Sequence, residues 1–283
     1  MLKQRVITAI VMLLVLLPAM FYPSPVPFAV VAGILLCAAG WEWARLNQAP
    51  AWLSYLSALG CGLLCAVFWR QGALYLTFPS ASVWIVMGAA WVVAAAWLLS
   101  NGVEKWAKIN PLLRQTAGVI MLAVAWLAVV QARRVGINFL LSVLVLVWVA
   151  DIFAYFAGRA FGGRIAQQKL APSISPGKSW EGVWGGMAGV VLLAFVWVWA
   201  DSTFAVSSLS VFSHLYAKTW WLLLIGVLFL AAMSVAGDLV ESLVKRSAGA
   251  KDSSNLLPGH GGVLDRVDAL LPTVPLAMML YSV

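Results

Sequence analysis

The chain has 283 residues, of which 63% are hydrophobic and only 10% charged, far below the roughly one quarter of charged residues in a soluble domain. With a mean hydropathy of +0.96, this excludes a water-soluble fold, because so much apolar surface finds cover only in a bilayer. The net charge of +8 would point a soluble protein toward nucleic acid; here the basic residues cluster at the ends of apolar runs, and no nucleic-acid partner is expected.

Apolar runs of spanning length fall near residues 5–22, 27–46, 52–69, 82–100, 113–131, 138–160, 183–200, 219–240 and 267–282. The fold class is therefore all-α: a polytopic integral membrane protein of about nine transmembrane helices. The first run follows the basic start Lys3-Gln4-Arg5. It is long for a signal peptide and lacks a small-residue cleavage site, so it reads as a span. Cys37, Cys61 and Cys65 lie inside apolar runs with no His or acid beside them and read as small buried residues. The loop Tyr22 to Pro27 is a Pro-rich turn, and Ser202 to Lys218 reads as a Ser-rich surface loop. The last run is the shortest and holds Pro272 and Pro275. No internal repeat and no soluble domain separates out. The chain divides only into scaffold helices, 1–135, making lipid or dimer contacts, and helices 136–283 with the catalytic loops.

The basic residues orient the bundle. With the N-terminus cytoplasmic, 14 of the 18 Lys and Arg fall on the inner side, leaving Arg70, Arg133, Arg134 and Lys218 outside. Nine of the ten acids also fall inside; only Asp201 lies outside.

Three constellations on the inner side could carry chemistry. On the sixth span, Asp151, Tyr155 and Arg159 are spaced by four and share one helix face. An intramembrane acid is costly unless paired or facing a polar cavity, so this set is either a packing ion pair or a cavity wall. The loop Pro172-Ser173-Ile174-Ser175-Pro176-Gly177-Lys178-Ser179-Trp180-Glu181 runs into a helix N-terminus, a setting that suits phosphate. It lacks the glycine spacing and preceding strand of a P-loop. At the end of the eighth span Asp238, Glu241, Ser242 and Lys245 share a face, followed by Arg246, Lys251-Asp252 and the turn Pro258-Gly259-His260-Gly261-Gly262 leading to Asp265, Arg266 and Asp268. Hard carboxylate oxygens beside Lys and Arg suit a divalent cation shared with substrate phosphates. With only His214 and His260 in the chain, and His214 outside, zinc chemistry and a His-based triad have little support. Phosphoryl-type transfer needs positioning and electrostatics more than a strong base.

The 27 positions from Ser242 to Asp268 resemble the signature of the phosphatidate cytidylyltransferases, or CDP-diacylglycerol synthases. The matching residues are Ser242, Lys245-Arg246, Lys251-Asp252, Pro258, His260-Gly261-Gly262, Asp265-Arg266 and Asp268. Asp151 with Tyr155 and Gly158-Arg159, and Ser175-Pro176-Gly177-Lys178-Ser179 with Glu181-Gly182, extend the resemblance upstream. It implies a homodimer of helical membrane subunits in the inner membrane, with a polar cavity facing the cytoplasm. There CTP and phosphatidic acid would give CDP-diacylglycerol and pyrophosphate. It implies Mg2+, as one or two ions or with a monovalent cation such as K+, on Asp238 and Asp265 with Glu241. Lys245, Arg246 and Asp268 are the further catalytic residues. Asp151, Arg159, Ser175, Lys178, Ser179, Glu181, Ser242, Lys251, His260, Gly261, Gly262 and Arg266 would contact substrate. The competing readings are a CTP-dependent transferase or kinase acting on a prenol, and a transporter using Asp151 and Asp238 as intramembrane sites.

Overall fold

The computed structural model describes residues 2–75, 79–166, 168–204 and 206–282. Eleven helices and no strands appear among the described residues. Eight are long and apolar enough to cross a membrane: α1 (Leu2–Phe21), α2 (Val26–Leu46), α3 (Ala51–Arg70), α4 (Ala81–Lys108), α5 (Pro111–Val135), α6 (Ile137–Phe161), α7 (Trp180–Thr203) and α9 (Trp220–Ser247). Three are shorter: α8 (Val211–Lys218), α10 (Leu264–Val267) and α11 (Leu270–Ser282). The all-α membrane fold is thus the observed one, and the chain is an integral membrane protein.

Local chemistry sets the helix ends. Pro111 occupies the first turn of α5, where its missing N–H costs nothing, and the Asn110 side chain accepts from the Leu112 N–H at 2.8 Å. Ser179 and Ser210 cap α7 and α8 by accepting from Gly182 and Ser213. Within α4, Gly102 adopts φ +75 and breaks the helix. The expected span, 82–100, ends at this break, and the charged tail with Glu104, Lys105 and Lys108 runs beyond it.

Two expectations are corrected. The ninth expected span divides into the single turn α10 and the 13-residue α11. At 1.5 Å per residue α11 is about 20 Å long, short of the roughly 30 Å core. Its first eight residues after Leu270, from Leu271 to Met278, are buried, packed among α4, α5 and α9. The supposed surface loop before Lys218 contains α8, whose Val211, Phe212 and Leu215 are buried. Asp201 explains this. Its carboxylate accepts from Asn138 at 2.9 Å, from the Ser210 N–H at 3.1 Å, and from the Ser210 and Ser213 hydroxyls at 2.6 Å each. The serines are ligands of a buried acid, not signs of solvent.

The closest helix pair is α6 with α7. A Cβ on Gly185 would lie 2.1 Å from the Ala157 Cβ, and one on Gly186 2.8 Å from the Ala150 carbonyl. Small residues allow this approach in a bilayer, where van der Waals packing drives helix association. The Gly185-Gly186 pair is therefore a packing seam.

Candidate active site

The sides of the bundle can be told apart without counting charges. Arg5 and Thr8, at the start of α1, donate to the Gly259 and Pro258 carbonyls at 2.9 Å each. The N-terminus and the loop after α9 are therefore on one side. Asp201 and α8 lie at the opposite ends of their helices.

The last two turns of α9 gather the acids and bases at spacings of three, four and seven. Asp238 accepts from the Ser242 hydroxyl at 3.2 Å and pairs with Lys178 at 2.6 Å. Lys245 is buried and pairs with both Glu241 and Asp265, the latter at 2.7 Å. Gly237 makes room for this assembly: a Cβ there would lie 2.7 Å from the Asp268 carbonyl and from Pro272 Cγ. The turn between α10 and α11 can thus press against α9 and bring Asp268 to Asp238.

The Gly-rich turn closes on itself through a bridge between Leu257 and Gly261. Gly259 and Gly261 take φ of +79 and +82, a region that glycine enters without a steric penalty. A Cβ on Gly261 would also lie 2.7 Å from Asp265 Oδ2. That oxygen accepts three bonds of 2.8 Å, from the Ser253 N–H, the Ser253 hydroxyl and the Gly262 N–H. The other oxygen, Oδ1, takes Lys245. Burial pushes the Asp265 carboxyl up, but Lys245 and these donors outweigh it and hold it below the usual range. Asp268, in the turn after α10, differs: burial and the neighbouring Asp238 charge push it up to about 7.

The Lys178 loop meets α9 from the other flank. Arg246 donates to the Ile174 carbonyl at 3.2 Å and to the Ala250 carbonyl at 3.1 Å, tying that loop to the helix end. Ile174 is buried, and Ala171 and Ser175 form a bridge. Asp151 faces the charges of Asp238 and Lys178. Asp151, Lys178, Asp238, Glu241, Ser242, Lys245, Asp265 and Asp268 are thus brought to one place.

Other expected site residues have different neighbours. Glu181 is buried, and its Oε1 accepts from the N–H groups of Gly163, Ile165 and Ala166 at 3.1, 3.0 and 2.9 Å, which holds the turn after α6. Arg159 donates to the Tyr155 hydroxyl at 3.0 Å. Arg266 donates twice to the His260 carbonyl. Lys251 is exposed.

A divalent cation fits this donor set in one way. Among the described residues no three His, Cys, Asp or Glu side chains converge on a single point. Mg2+ commonly binds through one or two carboxylates completed by substrate phosphates and water rather than in an all-protein cage. Asp265 Oδ2 is saturated, whereas Oδ1 accepts only Lys245. Asp238 offers one oxygen to Ser242 and the other to Lys178. A half-buried Asp268 beside Asp238 is an excess of negative charge that a cation would relieve.

The sequence model described as the cytidylyltransferase family matches residues 3–283. The chain belongs to that family. It is 37% identical to the phosphatidate cytidylyltransferase of Pseudomonas aeruginosa over 288 residues, covering 100% of this chain and 98% of that one. It is 36% identical to the Haemophilus influenzae protein of the same name, covering 99% of each. A Brucella suis phosphatidate cytidylyltransferase is 44% identical over 146 residues, 52% of this chain and 46% of that one.

In this cytidylyltransferase-family chain, one residue of the site escaped the sequence reading: Glu42, at the C-terminal end of α2 and fully buried. Its carboxylate accepts from the Val263 and Leu264 N–H groups at 2.9 and 2.8 Å, and from the Ser254 hydroxyl. The Ser253 hydroxyl sits between Glu42, 3.3 Å away, and Asp265, 2.8 Å away. Glu42 therefore fixes the backbone that aims Asp265. The signal for it was an acid within an apolar run between two tryptophans, with the next acid only at Glu104. Such an acid is costly without dedicated donors.

Proposed function

We propose that this protein is a phosphatidate cytidylyltransferase of the inner membrane, working as a homodimer from the cytoplasmic face. It transfers CMP from CTP to phosphatidic acid and releases pyrophosphate. The observation that carries the reading is the meeting of Lys178–Asp238 with Glu241–Lys245–Asp265 at the inner end of α9. Two lysines are held there by carboxylates beside a Gly-rich turn, with Asp268 adding charge. Family membership and the full-length relatives of that name support it.

In the reaction a phosphatidate oxygen attacks the α-phosphorus of CTP. A P–O bond forms to the lipid phosphate, and the bond to the β-phosphate oxygen breaks. The attacking phosphate is already ionised, so no strong general base is required. The barrier is the approach of two anions, which preorganised cations lower. Lys178 and Lys245 are the cations held in place here, and arriving phosphates would compete with Asp238 and Asp265 for them. Arg246 positions the Lys178 loop through the Ile174 carbonyl. Mg2+, held by Asp238 and Asp265 with Asp268 or Glu241 nearby, would supply Lewis-acid charge to the phosphates. The homodimer reading draws on α6, where Asp151, Tyr155, Phe156 and Arg159 are exposed in the isolated chain. Charged groups at that depth call for a polar cavity or a second copy.

Purified protein given Mg2+, phosphatidic acid and CTP labelled at either the α- or the γ-phosphate tests the reading. Label from the α-position should enter the lipid, with one pyrophosphate released per CDP-lipid. Transfer of the γ-label would instead support a CTP-dependent lipid kinase.

A further inference from the structure

An elongated cavity of about 560 Å³ lies between α1, α2, α5, α6 and α11, behind the Gly-rich turn. The volume is within the usual range for a small-molecule site, roughly 300–1,000 Å³. Its walls are apolar, with Met12 and Leu16 from α1, Ala32 from α2, Trp126 from α5 and Trp148 from α6. On α2 the lining runs from Ala39 to Phe28, eleven residues, about 16 Å along the helix at 1.5 Å per residue. The cavity is thus a channel along the membrane normal, reaching about halfway through the hydrocarbon core.

Its two ends differ. At the cytoplasmic end the lining includes His260 and Arg266. The His260 Nδ1 atom is buried without a hydrogen-bond partner. Arg266 is tied to the His260 carbonyl and Arg5 to the Gly259 carbonyl. Neither guanidinium takes part in any of the ion pairs among the described residues. This end is cationic, and no acid is among its lining residues. The far end is closed by Phe28 and by Trp126, whose indole N–H donates to the Ala29 carbonyl at 2.9 Å and fixes the ring. The side between α1 and α6 is open: Leu13 and Trp148, both lining residues, are 49% and 52% exposed. Apolar length, a cationic mouth and a lateral opening together match a lipid whose headgroup is a phosphate.

We propose that this cavity seats an acyl chain of the lipid phosphate, with Arg5, His260 and Arg266 facing the phosphate and with Phe28 and Trp126 limiting chain length. The proposal rests on the phosphatidate reading of the site and adds to it the surface that selects the tail. Arg266 follows Asp265 directly, so a phosphate held at the mouth lies beside the acid cluster across α10. Ala32 keeps the channel wide, and Phe28 sets its floor.

The test uses the full chain in nanodiscs and compares kcat/KM for dipalmitoyl and dioctanoyl phosphatidic acid. In Ala32→Phe the ratio of long-chain to short-chain kcat/KM should fall at least about tenfold, the scale on which an apolar pocket discriminates by size. Phe28→Ala should move the ratio the other way. Leu14→Phe, on the lipid-facing side of α1, should leave it unchanged. Equal ratios in wild type, Ala32→Phe and Phe28→Ala would overturn the proposal. A second arm does not depend on turnover: phosphatidic acid carrying a photoactivatable acyl chain should label α1, α2 or α5, and Ala32→Phe should reduce that labelling. Labelling confined to helices that do not line the cavity, or disulfide cross-linking of Leu13→Cys to a second copy across this opening, would also overturn it. A wild-type protein that makes no CDP-lipid but still labels in this cavity would sink the enzymatic reading and leave the lipid site standing.

Discussion

Two polar clusters lie at opposite faces of the bundle, and they are built differently. At the face formed by the C-terminal end of α7 and by α8, Asp201 is surrounded by neutral donors, Asn138, Ser210 and Ser213. The Trp197 indole N–H locks Asn138 in turn, at 3.0 Å. One charge is spread over several dipoles, and no second acid shares the site. At the face that holds the N-terminus Asp238, Glu241, Asp265 and Asp268 crowd around Lys178 and Lys245. A lone acid with a full set of donors is a structural knot. Several acids sharing two lysines form a site whose charge balance changes when phosphates or cations arrive. Both clusters hold a buried acid, and the nature of its partners separates them.

That contrast can be broken by substitution, and the largest effect on stability is expected at Lys245. In Lys245→Met two buried carboxylates lose their shared cation, and removing one partner of a buried pair costs about 3–5 kcal/mol. Thermal unfolding in detergent should show a large drop in midpoint, alongside loss of turnover. Next is Glu42→Gln, which keeps the shape but removes the charge receiving two backbone N–H groups. Activity should fall about 10–100-fold, as for residues that orient a catalytic ligand, with Glu42→Asp recovering part of it; unaltered kcat would remove Glu42 from the positioning of Asp265. Asp201→Asn should lower stability by about 1–3 kcal/mol through unsatisfied hydroxyl and amide donors, with kcat unchanged. The smallest effect concerns pH. Asp268 is raised to about 7, so it takes up a proton as pH falls through that value. The neutral acid attracts cations less, and Mg2+ affinity should weaken by up to about tenfold between pH 7.5 and 6. Asp268→Asn should flatten that slope; an unchanged slope would place the titrating group elsewhere.

How much of this was legible in the sequence depended on periodicity. Eight of the nine expected spans and the shared face of Asp238, Glu241, Ser242 and Lys245 follow from apolar run length and helical spacing, and the structure has them. Glu42 was hidden because its partners are 211 to 222 residues away and no local pattern announces them. The Ser-rich segment before Lys218 was misread because serines bound to a buried acid look like serines in water. The short α11 was read as a span because its composition is that of a membrane helix; only its length and burial show that it packs inside the bundle. Arg246, expected among the catalytic residues, donates to the Ile174 and Ala250 carbonyls, partners that no local pattern announces. Glu181 likewise reads as part of an anion loop and turns out to tie down the chain after α6.

The central claim is that chemistry belongs to the cluster at the C-terminal end of α9. The most direct measurement compares Asp265→Asn and Asp201→Asn, both purified and shown to be folded, for CDP-lipid formation from CTP and phosphatidic acid with Mg2+. The account predicts that Asp265→Asn loses at least about 10²–10³-fold in kcat, the scale of removing a preorganised charge from a reacting centre, while Asp201→Asn turns over at the wild-type rate. Near-normal turnover by folded Asp265→Asn would contradict it.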